Sequence, residues 1–266
     1  EGGLDPLCAS GQVVWIGDGS IGKDIRVRLY QRAHVHLLYE PKEPIVDPLC
    51  DQIRMLLRQR GSLFFEDIRK EISAFPPKLV DALWALVRNG ELSNDTLLPL
   101  RSVRKPPRAN RKRARRGRRR MTAKAERFQG TEGRWWLVES CLGGHITASE
   151  QALARCRVLL DRYGVLCREA FGAEQIKGGF SRYYAVLKAM EESGKIRRGF
   201  YVDSLGATQF AIPGVEDRLR TSTNEERVHW LSVLDPAQPY GSIINWPSDF
   251  PIRPTRSTGC RVALVL

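Results

Sequence analysis

The sequence predicts an α+β chain of tandem winged-helix modules followed by the start of a β domain. Three observations predict it. Residues 178–220 read as a helix running into two short strands, the back half of a winged helix. The same punctuation of helix end, glycine and strand start recurs, at Gly11, Gly90 and Gly194. A run of lysine and arginine without apolar period separates two of the modules. A repeat of this kind changes the prediction from one domain to an array.

Residues 1–43 read as the end of a truncated winged helix and a β-hairpin, so the chain is expected to start inside a module of something longer. The segment LDPLCASGQVVWIG gives a helix end, a stop at Gly11 and a strand. Gly17 to Lys23 has the glycine and lysine spacing of a phosphate-binding loop. Such a loop needs a hydroxyl after the lysine and must open a helix. Here Asp24 follows, and Ile25 to Tyr30 alternates as a strand, so a hairpin tip explains the residues better.

Residues 44–100 form the second module. An amphipathic helix is expected over 44–60, with Ile45, Leu49, Ile53, Leu56 and Leu57 on one face and a stop at Gly61. Ser62 is a candidate cap for the next helix, which carries Phe64, Phe65 and Ile68. The prolines at 76 and 77 open the third helix, which presents Leu79, Leu83, Trp84 and Leu86 inward and ends at Gly90. A short wing is expected over 91–100. Residues 101–133 read as a basic linker. Residues 134–220 form the last winged helix. Its opening strand is Gly133-Arg134-Trp135-Trp136-Leu137-Val138, and Thr147 to Glu150 offers a cap for a helix facing inward with Leu153, Cys156, Leu159 and Leu160. Trp135 and Trp136 are a candidate pair for stacking on a base, but adjacent strand residues point to opposite faces, so one of the two is expected in the core. Gly178 and Gly179 start the third helix, with Tyr183, Tyr184, Val186, Leu187 and Met190 at helical spacing, and Ser193-Gly194 ends it. Strands follow around Ile196 to Val202 and Phe210 to Ile212. Residues 221–266 are rich in turns and end in an apolar strand, the start of a truncated β domain.

Net charge is +13, which favours a polyanionic partner. Eleven lysines and arginines fall within residues 104–120, which hold no aspartate or glutamate. Such a block repels itself; it reads as an arm on nucleic-acid phosphates or as a solvated tether. The candidate DNA-binding residues are Lys105, Arg108, Arg111, Lys112, Arg113, Arg115, Arg116, Arg118, Arg119 and Arg120 of that arm. To them are added Lys177, Arg182, Lys188, Lys195, Arg197 and Arg198 around the last third helix and its wing. The six cysteines show no C-x-x-C pair and fit reduced, mostly buried thiols. The histidines do not cluster with them, so no metal site is expected. No run of about 18 apolar residues exists to span a membrane. The expected location is cytoplasmic and nucleoid-associated.

Several phrases are collinear with one known family: LCASGQVVW, ALWALVRNGELSNDTLLPLR, GRWWLV, DRYGVLCREA, the whole of 178–220, LDPAQPYG and RPTRSTG. Together they resemble the C-terminal region of the bacterial large helicase-related (Lhr) proteins, and the basic segment corresponds only as a spacer. The resemblance implies a DNA repair function, in a C-terminal extension similar to the winged-helix DNA glycosylases that unhook interstrand crosslinks. It also implies a helicase core in the same longer polypeptide, to which ATP and magnesium would belong. This chain holds no D-E-x-H box and no usable nucleotide loop, so no cofactor is expected in it. The crosslink glycosylases use a Gln-x-Gln motif; here Ala207-Thr208-Gln209 offers one glutamine. A glycosylase also needs a carboxylate, and the candidates are Asp161, Glu169, Glu191, Glu192, Asp203 and Asp217. Three readings follow: a DNA-binding segment of a repair helicase acting on single-stranded or forked DNA, a uracil-type DNA glycosylase, or an assembly module that self-associates.

Overall fold

A computed structural model of the chain describes residues 3–21, 24–104, 128–206, 208–221, 228–235, 237–249, 254–255 and 259–265. They divide into two compact units, residues 1–145 and 146–266.

The first unit begins with α1 (Leu4–Ala9), β1 (Val13–Ile21) and β2 (Asp24–Gln31). The two strands pair antiparallel from Val13↔Gln31 to Ile21↔Asp24, with a bulge between Gly17 and Ser20. Gly22 and Lys23 lie outside the described residues, but a strand, not a helix, follows them. That context removes the nucleotide-loop reading. A short α2 (Val35–Leu38) comes next.

The winged-helix core of this unit is α3 (Pro48–Arg60), β3 (Leu63–Phe64), α4 (Phe65–Glu71), α5 (Pro76–Asn89), β4 (Leu92–Asn94), α6 (Leu98–Arg104) and β5 (Arg134–Leu137). α3 starts later than the apolar spacing predicts, because Asp47 caps it: its Oδ1 accepts from the amides of Leu49 at 3.0 Å and Cys50 at 2.9 Å. Ser62 caps nothing; β3 intervenes, and Phe64 turns out to be 53% exposed. α5 opens on the proline pair and ends at Gly90, whose φ of 86° is left-handed.

The three-stranded sheet has the order β3-β5-β4. Arg134 and Trp135 pair with β3, and Trp135 to Leu137 pair with β4. The tryptophan strand therefore closes the sheet of this unit and does not open the next one. Residues 95–133, read from sequence as the end of a wing and a linker, are the connection between the two wing strands. The basic segment is thus an insertion in a wing. At its near end is α6, whose Leu100 packs on the core together with Leu97 just before the helix, in place of the expected wing strand.

Trp15, Trp84 and Trp135 meet edge to face in that core, with centroids 6.5 Å apart for Trp15–Trp135 and 5.9 Å for Trp84–Trp135. Each indole N–H reaches a carbonyl: Thr96, Gly130 and Thr131 respectively. Buried tryptophans need such partners. The hairpin lies close on α5. A Cβ on Gly17 would stand 1.9 Å from the Val87 carbonyl oxygen, so only glycine permits the crossing. Tyr39 Oη donates to the Gly90 carbonyl at 2.9 Å in the same place.

The second unit repeats the plan: α7 (Ala148–Tyr163), β6 (Val165–Leu166), α8 (Arg168–Ala173), α9 (Gly179–Glu192), β7 (Arg197–Gly199) and β8 (Gln209–Ala211). Its sheet order is β6-β8-β7, the same first-third-second arrangement. Thr147 and Glu150 form a reciprocal capping box on α7. α10 (Val215–Thr221) follows, then an antiparallel pair of β9 (Val228–Ser232) and β10 (Arg261–Val265). The five glycines that mark the repeat, Gly11, Gly61, Gly90, Gly164 and Gly194, all have φ between 70° and 86°. The repeat in sequence is a repeat of positive-φ glycines at helix ends.

Candidate nucleic-acid interface

The third helix of each winged helix is the element that enters a groove in this fold. The two differ in what they leave open. α5 buries Leu79, Ala82, Leu83, Trp84, Leu86 and Val87, and β1 crosses its C-terminal end. Its open charged positions are Lys78, Asp81 and Arg88. α9 buries only Tyr183, Leu187 and Met190. Tyr184, placed by spacing with the apolar face, is 36% exposed instead. Ser181, Arg182, Ala185, Lys188, Ala189 and Glu192 are exposed. Their 3.6-residue spacing puts them on one face, opposite the core. Three of the six are small, so a partner can approach the helix backbone.

The predicted cations of this unit surround that face. Lys177 is exposed in the turn before α9, and Lys195 in the turn after it. Arg182 lies with its guanidinium carbon 5.8 Å from the Tyr183 ring centre. Lys188 pairs with Glu192 at 3.7 Å, Arg198 with Glu191 at 3.3 Å and Arg197 with Glu216 at 3.9 Å. Exposed pairs of this kind are worth about 0–1 kcal/mol, so phosphates can replace the carboxylates at little cost. Lys105, Arg108, Arg111, Lys112, Arg113, Arg115, Arg116, Arg118, Arg119 and Arg120 lie outside the described residues.

The glycosylase candidates do not gather into a site. Gln209 is fully buried. Its Oε1 accepts from the amides of Tyr201 at 3.0 Å and Val202 at 2.9 Å, and its Nε2 donates to the carbonyls of Val202 at 2.9 Å and Gly206 at 3.2 Å. All four bonds of the amide go to holding the wing. Asp161, Asp203 and Asp217 are exposed, while Glu191 and Glu192 are in the ion pairs named above. Glu169 keeps one buried carboxylate oxygen, Oε2, without a hydrogen-bond partner among the described residues.

The cysteines are all free. Burial pushes the Cys156 thiol up to about 12, and those of Cys50 and Cys167 up to about 11, so they stay protonated and inert at neutral pH. Among the described residues no group of three or more His, Cys, Asp or Glu gathers as a metal site, and no helix is long and apolar enough to cross a membrane.

The first unit has a separate cleft of about 840 Å³. Its walls come from the α1–β1 turn, the C-terminal end of α3, the end of β4, and β5 with the turn after it. Sequence alone does not reveal it, because its residues are far apart in the chain. Trp136 lines it, with the Arg32 guanidinium 5.2 Å from the ring centre. Arg58 makes a two-pronged contact with Glu139, at 2.7 and 2.9 Å. That contact holds the Glu139 carboxyl below the usual carboxylate range. Arg134 Nε meets Asp95 Oδ2 at 2.9 Å.

Residues 145–231 match a family model described as the winged-helix domain of large helicase-related protein. The match spans all of the second winged helix. Over 98% of its length the chain is 34% identical to an "Lhr helicase/probable uracil glycosylase" of Mycolicibacterium smegmatis. It is 32% identical, over the same share, to an "Lhr helicase/uracil glycosylase" of Escherichia coli. It spans 19% of the length of each of these relatives.

Proposed function

Because the chain belongs to the large helicase-related (Lhr) family, we propose that it is a DNA-binding segment of a DNA repair helicase, working beside a motor in the same longer polypeptide. The observation that carries this reading is the exposed face of α9, flanked by the cations of its two turns and of β7. In a winged helix that face meets the groove, and cations beside it hold phosphates. α5 has its end crossed by the hairpin, so the second unit is the one that docks on DNA. The basic insertion adds phosphate contacts from the wing of the first unit. ATP and magnesium act at the motor, and this segment positions the DNA, single-stranded or forked, without spending nucleotide.

The names of the relatives include uracil glycosylase. In this chain the glutamine is committed to the wing, and five of the six candidate carboxylates are exposed or ion-paired. Binding is therefore the reading we adopt over base excision.

Fluorescence anisotropy with single-stranded, forked and duplex DNA tests it. The expected result is salt-dependent binding tighter than about 10 µM, since even non-specific binders reach that range. Absence of such binding would remove the reading. Uracil-containing DNA incubated with the chain and then treated with alkali should stay intact; strand breaks would restore the glycosylase reading. Light scattering addresses self-association.

A further inference from the structure

We propose that the cleft of the first unit receives an unpaired nucleobase of single-stranded nucleic acid, stacked on the Arg32–Trp136 pair. Arg58 and Arg134 then hold the neighbouring phosphates. This rests on the nucleic-acid reading above and adds a second contact site to it.

β5 carries two tryptophans with different tasks. Trp135 is fully buried and completes the aromatic cluster of the core. Trp136 points to the other side, packs against the small cluster of Val14, Ile16, Val35, Tyr39 and Val138, and remains half-buried on the cleft wall. Arg32 is exposed and lies over its ring. No carboxylate pairs with Arg32 among the described residues, so its planar group is a stacking surface and not half of an ion pair. Bases stack both on aromatic rings and on guanidinium planes.

The other two arginines suit a backbone. Arg58 is 57% exposed and its partner Glu139 46%; Arg134 is 51% exposed. The Arg58–Glu139 pair is open on both sides and exchanges its carboxylate for a phosphate readily. Asp95 is only 23% exposed and also accepts from the Arg134 amide at 2.9 Å, so Arg134 offers a phosphate the N–H groups that Asp95 leaves over. The two phosphate-holding guanidiniums come from different elements, Arg58 from α3 and Arg134 from β5, and both line the cleft that Arg32 and Trp136 line. Two carboxylates offset two of the three charges, so bulk attraction is weak and the stacking contact decides. A base within a duplex has both faces covered and cannot reach Trp136, so the occupant is single-stranded. A cleft of about 840 Å³ falls in the size range of small-ligand pockets and admits a base with its sugar.

The test uses the full chain, a fluorescein-labelled oligothymidylate and a labelled hairpin duplex. Photocrosslinking to an oligothymidylate bearing 5-iodouracil, followed by peptide mapping, should place a crosslink on the peptide containing Trp136. Arg32→Gln, at an exposed position, should fold normally and weaken oligothymidylate binding roughly five- to tenfold while leaving duplex binding unchanged, as expected when one stacking partner is removed. Trp136→Phe keeps a ring there and should weaken binding less. Arg182→Ala with Lys188→Ala should weaken duplex binding and keep the Trp136 crosslink. If wild type binds DNA but Arg32→Gln changes nothing and no crosslink maps to this peptide, the inference is overturned and the reading of α9 stands. If wild type binds neither DNA, both fall.

Discussion

Two residues that lie in or near motif-like runs turn out to serve the fold. Gln209 is the glutamine nearest to a glycosylase motif, and it ties Tyr201, Val202 and Gly206 into a wing. Gln209→Ala leaves two amides and two carbonyls short of partners. It should cost about 1–3 kcal/mol in a thermal or urea melt and speed amide exchange at Tyr201 and Val202. Gly17 belongs to a run that resembles a nucleotide loop, and it allows β1 to cross the end of α5. Gly17→Ala forces a shift of backbone and should destabilise the first unit by about 1–3 kcal/mol, read by the same melts. Arg54 is nearly buried, and its Nε meets Glu91 Oε2 at 2.6 Å. Burial raises the Glu91 pKa, but bonds from Arg54, Asn89 and the Ile45 amide outweigh it, and the net shift is downward. A lowered folded pKa contributes stability that is whole above the unfolded value and is lost as pH falls through the folded one. Melts from pH 6 down to pH 3 should therefore show wild type losing stability that Glu91→Gln lacks throughout. At neutral pH that variant leaves Arg54 with less of its compensation and should be about 3 kcal/mol less stable.

At the scale of elements, α9 is what sets the second unit apart. Replacing Arg182, Lys188, Arg197 and Arg198 together by alanine should weaken duplex affinity by at least tenfold at low salt and flatten its salt dependence, by about 0.9 in log–log slope for each phosphate no longer held. The four side chains are exposed, so the melt should move little. Both third helices are legible in the sequence because helical spacing, their glycine stops and, for α5, the two prolines agree. The start of α3 is not, since a cap depends on which carboxylate folds back, and Asp47 competes with an earlier apolar residue. The strand Arg134–Leu137 belongs to a different module from the one its sequence suggests, and for a stronger reason. Strand partners are chosen by long-range pairing, and residues 95–133 separate β5 from β4 with a composition that reads as a boundary. The cleft is invisible in sequence for the same reason: Arg32, Arg58, Arg134 and Trp136 have no spacing in common. Half of the tryptophan expectation is readable, that the two rings face opposite ways; which one is core follows only from Trp15 and Trp84.

For the molecule as a whole, different contacts fall to different units: a groove-facing helix in the second, a wing bearing the basic insertion and a base-sized cleft in the first. Removing residues 105–120 takes away ten of the cations behind the net charge of +13. DNA affinity should fall clearly and the salt slope with it, whereas a passive tether would leave both unchanged; anisotropy across a salt series reads the difference. The most direct measurement is a comparison of two charge reversals in the full chain, Arg182→Glu with Lys188→Glu on α9 against Lys78→Glu with Arg88→Glu on α5, by anisotropy on forked DNA. A docking face on α9 predicts a large drop in affinity for the α9 pair and a small one for the α5 pair. Equal affinities for wild type and the α9 pair, or a drop confined to the α5 pair, would contradict it.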